Sequence, residues 1–237
     1  EIQLLKLKAF AAQTKTEEVL AKSVGAAIII MCLLVGLFVL HRERFFNITG
    51  GVNKNLLFIG TMLLVFVFAA KISASLAESL AAGAPIPIPA RAIFYGIPLA
   101  SGAMTICLFM GLNIAIPFAI ITAFCTATIF HGRFDTFLYF LLNNALAAYW
   151  VQNCRERKVF IQAGLKLGLL NIVLAIALEV YAGNLSGAAL MWSMAFAFAG
   201  GIGTGIITLG LAPLMEFACG YATDITLLEL ANLDRPL

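Results

Sequence analysis

Asp135, Tyr139 and Asn143 recur every fourth residue along an otherwise apolar stretch, and Ala147 and Trp150 prolong the series. On a helix these groups share one face, so a carboxylate, a phenol and an amide line up together. Two more stretches carry comparable faces: Pro98, Ser101, Gly102 and Thr105 in one, and Ser193, Ala197, Gly201, Thr204 and Thr208 in the other. Ser101, Thr105, Tyr139, Asn143 and Thr204 are therefore the candidate ligand-binding residues, lining a polar cavity between three helices. The competing reading is plain packing through interhelical hydrogen bonds, worth about 0.6 kcal/mol each between membrane helices.

Other chemistry is sparse. His41 and His131 are the two histidines, and no GxSxG, HExxH or P-loop pattern occurs. No catalytic residue and no metal-ligand set is expected. Cys32, Cys107, Cys125, Cys154 and Cys219 include no CxxC pair and read as packing residues. Lys166, Glu179 and Glu216 lie inside or at the ends of apolar stretches. Lys166 and Glu179 are long enough to snorkel to water, and no facing acids and bases form a proton relay, which disfavours a pump.

The elements that must position these residues are seven apolar stretches: Ser23 to Leu40, Asn55 to Ala77, Ala92 to Met110, Leu112 to Phe130, Phe134 to Val151, Phe160 to Ala182 and Ala188 to Leu214. About 20 helical residues cross a bilayer core about 30 Å thick. Charged residues are 11% of the chain and apolar ones 62%, so lipid is the main solvent. Strict alternation is missing, which excludes barrel strands and leaves helices as the way to satisfy backbone groups in lipid. The expected fold is an all-α membrane protein, a bundle of seven transmembrane helices. A net charge of +3 without a long basic run offers nothing for nucleic acid.

Arg42, Arg44, Lys54, Arg155, Arg157, Lys158 and Arg235 fall on one side, and Lys71, Arg91 and Arg133 on the other. The positive-inside rule then puts the N-terminus outside and the C-terminus inside. Lys6, Lys8, Lys15 and Lys22 oppose this, but a folded external domain upstream would escape the rule. Residues 1–22 read as the helical end of an extracellular segment, 23–217 as the transmembrane domain, and 218–237 as a cytoplasmic linker helix leading to a further domain. The start at Glu1 rather than Met, and the halt at Leu237 soon after a helical pattern begins, read as a piece of a longer protein.

Gly164 and Gly168 in the sixth stretch, and Gly201 and Gly205 in the seventh, have the spacing that lets helices approach closely in lipid. Tight packing within the bundle is the plain reading, with a mobile helix or a homodimer contact as the alternative. Pro213 ends or bends the seventh stretch, and Thr226 with Glu229 has capping-box spacing, followed by an apolar face that includes Leu227, Leu230 and Leu233. If the bundle signals, Gly201 and Gly205 would start the displacement, and Thr226, Leu227 and Leu230 would pass it on.

The run Pro213, Glu216, then Thr223-Asp224-Ile225-Thr226-Leu227-Leu228-Glu229-Leu230-Ala231-Asn232, and Pro236-Leu237, resembles the junction in bacterial seven-transmembrane receptors with an intracellular HD-hydrolase domain. The resemblance implies an extracellular domain upstream, a multi-pass location in the bacterial inner membrane, and a downstream divalent-metal HD phosphodiesterase hydrolysing cyclic di-AMP. No His-Asp pair occurs here, so no catalytic residue carries over, and no cofactor is expected in this chain. Its partners would be the bilayer and its own extracellular and cytoplasmic domains. A small-solute transporter or channel is the alternative, with Pro98, Pro117 and the seventh-stretch glycines breaking helices around a substrate.

Overall fold

The computed structural model describes residues 52–83, 88–130, 132–154, 156–183 and 187–219, with residues 24, 25, 28, 29, 31, 32, 35 and 36. The chain divides into two units, Glu1–Arg42 and Glu43–Leu237. In the first, the described residues are helical, and Val24, Ile28, Ile29, Met31 and Val35 expose apolar side chains, as a lipid-facing segment does. The expected helix within 1–22, and Thr226, Leu227 and Leu230, lie outside the described residues.

The second unit is all-helical among its described residues: α1 (Val52–Gly83), α2 (Ala90–Tyr95), α3 (Ala100–Met110), α4 (Leu112–Ile129), α5 (Phe134–Val151), α6 (Lys158–Tyr181) and α7 (Gly187–Cys219). Among the described residues, five helical segments are long and apolar enough to cross a membrane: Asn53–Gly83, Ala90–Met110, Leu112–Ile129, Lys158–Tyr181 and Gly187–Ala218. Helix α5 is as long as α4, but Asp135, Asn143 and Asn144 dilute its apolar character. That helix is central rather than peripheral, packing against α3, α4 and α6. Helices α6 and α7 pair along their length, α3 also touches α7, and α1 lies against α2, α3 and α4.

The third apolar stretch, expected as one continuous span, is broken between α2 and α3 at Gly96–Leu99. Pro98 supplies no N–H and disfavours helical geometry at Ile97. Gly96 N–H still reaches Ile93 O at 3.0 Å, and on the far side Ser101 Oγ donates to Pro98 O at 2.7 Å, so the exposed peptides are satisfied locally. Of the two expectations for Pro213, ending or bending the last helix, the first does not hold, because α7 runs through it to Cys219. Between α3 and α4 the chain reverses at Gly111, whose φ of 81° is a left-handed value that glycine adopts without strain. That turn makes α3 and α4 an antiparallel hairpin.

Candidate functional site: a charged knot above a polar seam

Helices α5 and α6 run antiparallel, and their facing residues form a ladder. At one end Ala147, Val151 and Cys154 share an apolar cluster with Phe160, Ala163 and Leu167 of α6 and with Ala100 and Met104 of α3. At the other end Arg91, in the first turn of α2, links the two helices. Its Nη2 lies 2.6 Å from Asp135 Oδ2 and its Nε 3.3 Å from Glu179 Oε1. The same guanidinium donates to Tyr95 Oη at 3.1 Å and to Leu178 O at 3.3 Å. Arg133 forks onto Asp135 from the rim, Nη2 to Oδ2 at 3.0 Å and Nε to Oδ1 at 3.3 Å. Ser193 of α7 donates to Glu179 Oε1 at 3.2 Å, so four helices meet at this knot. A cleft of about 340 Å³ opens beside it, lined by Arg133, Phe134, Asp135, Tyr181 and Ala182.

Two sequence expectations are corrected here. Glu179 does not reach water: it is 3% exposed and held by Arg91 and Ser193. Arg91, counted as a loop cation, is a largely buried bridge. The reason is energetic in both cases, since a carboxylate inside a bundle is tolerable only when a partner neutralises it. Lys71 also belongs to a helix, on the exposed side of α1.

Ser101, Thr105, Tyr139, Asn143 and Thr204 are all buried. Three of them spend their hydroxyls locally, on carbonyls three or four residues earlier: Thr105 on Ser101 O and Thr204 on Gly200 O at 2.7 and 2.8 Å, with Ser101 on Pro98 O as above. Tyr139 Oη donates across to Tyr95 O at 2.7 Å, and the two rings lie 4.8 Å apart. Asn143 differs, because its Oδ1 is buried with no hydrogen-bond partner. Sequence reasoning missed Arg91 and Asn171 and read Glu179 as solvent-bound. Their signal was present in chain order: with alternating spans, Arg91, Asp135 and Glu179 all fall at the same end of their segments.

Gly201 and Gly205, the candidate coupling residues, face α6. A Cβ on Gly201 would overlap the backbone of Gly168, and one on Gly164 would come within 3.0 Å of Gly201 O. On a neighbouring face Gly200 packs against Tyr95 and Gly96 at the helix break. Cys107, Cys125 and Cys154 are buried free thiols, and burial raises the Cys154 thiol in the loop after α5 above its ordinary value. Among the described residues no three His, Cys, Asp or Glu side chains gather as a metal site. None of the described side-chain groupings, then, fits the divalent ion of an HD hydrolase.

The packed apolar helices and their buried polar seam define a multi-pass helical membrane domain. The chain belongs to the family of 7TM receptors with intracellular HD hydrolase, whose profile matches residues 21–223. It is 30% identical over 152 residues to the cyclic-di-AMP phosphodiesterase PgpH of Bacillus subtilis (strain 168), covering 61% of this chain and 21% of the relative. Against the PgpH of Listeria monocytogenes serotype 1/2a (strain 10403S) it is 29% identical over 101 residues, covering 42% and 14%. The chain thus spans about a fifth or less of the curated relatives it matches. No solved structure matches.

Proposed function

We propose that this chain is the receptor-type membrane domain that anchors a cytoplasmic HD phosphodiesterase hydrolysing cyclic di-AMP and conveys an external signal to it. The observation that carries this reading is the family match across residues 21–223, which takes in every membrane-crossing helix described. The same reading makes seven spans in the bacterial inner membrane by adding residues 23–40 and α5, with the N-terminus outside and the C-terminus inside. The Arg91 knot then lies at the external end, where an upstream domain would deliver its signal, and the divalent ion belongs to the downstream hydrolase. Coupling runs through α7, from Gly201 and Gly205 toward Thr226, Leu227 and Leu230.

The test is activity partitioned between parts. The purified chain, incubated with cyclic di-AMP and manganese, is expected to give no turnover, while the complete gene product hydrolyses it. Turnover by the chain itself, or a complete product without such activity, would overturn the assignment. For orientation, single cysteines at Glu156 and Gly83 in a background without native cysteines are labelled with an impermeant external reagent. Labelling is expected at Gly83 only. The broken segment at Gly96–Leu99 favours a second reading, a small-solute transporter or channel, since discontinuous helices line transporter sites. Solute uptake by vesicles containing the chain would establish that reading instead.

A further inference from the structure

We propose that Asn143 of α5 and Asn171 of α6 together hold one buried water molecule at mid-bundle, as a polar joint between these helices. Each amide is almost wholly buried, 1% and 0% exposed, and each Oδ1 has no hydrogen-bond donor. The helix register puts them at one level of the bundle. Ala147 and Leu167 share the apolar cluster, and Asn143 and Asn171 each lie four residues from them in the direction of the knot. Two turns further on, Asp135 and Glu179 are bridged by Arg91, so the same antiparallel register holds on both sides of the amide layer. Asn171 is fixed from behind by its Nδ2, which donates to Ala197 O of α7 at 3.4 Å. The third orphan, Asn144 Oδ1, belongs elsewhere, since its side chain is turned to Thr122 of α4.

Two buried amide oxygens at one level of adjoining helices each need a donor. Water offers two O–H groups and is held in proteins by two to four polar partners. A sodium or potassium ion would also suit amide oxygens, but charge balance argues against it. The nearest acids on this seam, Asp135 and Glu179, are already engaged by Arg91 and Arg133, which leaves no counter-charge for a cation in the amide layer. A water-held contact can lengthen or tilt without breaking side-chain packing, so α5 and α6 are joined adjustably at this level.

The test combines a double-mutant cycle with footprinting on the chain in lipid nanodiscs. Asn143→Leu or Asn171→Leu strands the water and the remaining amide, so each is expected to lower Tm by about 2–4 °C. The double variant, which removes both acceptors, is expected to melt above either single one. Additive losses, or a rise in Tm with each single substitution, would mean two independent orphans and overturn the proposal. X-ray hydroxyl-radical footprinting gives a readout that needs no variant: buried Tyr139, one turn away, is labelled when a bound water lies beside it, and an unlabelled Tyr139 overturns the proposal. A Tm that rises in sodium or potassium chloride over N-methylglucamine chloride, with the rise lost in the double variant, would identify a cation and likewise overturn it.

Discussion

Helix α6 has two working faces of opposite kinds. Toward α7 it presents Gly164 and Gly168, and the two backbones meet with no side chain between them. Beside them run Glu179, Asn171, Leu167 and Ala163, a series that passes from charge through amide to hydrocarbon and is tied to α5 through Arg91 and the shared apolar cluster and to α7 through Ser193 and Ala197. Lipid provides no hydrophobic drive between helices, so association rests on close packing or on polar contacts, and α6 uses both. The glycine face is short-range and intolerant of added volume. The polar contacts are held by groups whose geometry can shift at smaller cost.

The glycine face is the easiest to break. Gly201→Leu drives a side chain into the Gly168 backbone, which cannot rotate aside, and is expected to cost more than about 3 kcal/mol or prevent folding. Thermal unfolding in nanodiscs measures it, with Gly203→Ala as the control: the nearest atom to that Cβ is a Pro98 side-chain carbon at 3.6 Å, and Ala is the better helix former. Equal losses in the two variants would remove the distinction between the glycine pair and its neighbours.

On the polar face the largest effect belongs to the knot. Arg91→Leu leaves Asp135 with only the rim pair to Arg133 and Glu179 with only Ser193 among the contacts described above. A loss of about 3–5 kcal/mol is expected, as when one partner of a buried ion pair is removed. Replacing Arg91, Asp135 and Glu179 together by leucine is expected to recover most of it. If the triple variant is no more stable than Arg91→Leu, the carboxylates are not what the arginine neutralises.

Smaller changes sharpen the contrast. Ser193→Ala removes a single donor to Glu179 and is expected to cost about 1 kcal/mol. That loss should disappear in the Arg91, Asp135, Glu179 leucine background, because the acceptor is gone. Lys166→Gln, on the exposed side of α6 between the two faces, is expected to change stability by less than about 0.5 kcal/mol. A larger effect would give the outward surface of α6 a partner of its own.

Helical class, membrane embedding and most element boundaries were legible because they depend on local composition and on length relative to a bilayer. The Asp135, Tyr139, Asn143 face was legible for the same reason, since a spacing of four residues is a property of one helix. What could not be read was which neighbour that face meets. Spacing groups Asn143 with Ser101 and Thr204, and only the helix register sets it level with Asn171 of another helix.

The sequence by itself determined that this chain lives in lipid, that it crosses repeatedly, and that small residues recur where helices can touch. It also carried the junction that resembles the receptor family. Only the tertiary structure decided that Arg91 closes over both Asp135 and Glu179, that Gly164 and Gly168 interlock with Gly201 and Gly205, and that the third stretch is interrupted where Tyr139 reaches across to it. The physical reason is range. Hydropathy and periodicity record how a segment meets its solvent, whereas ion pairs and backbone contacts depend on residues far apart in the chain, 87 positions for Arg91 and Leu178, and each is satisfied only once the whole bundle has closed.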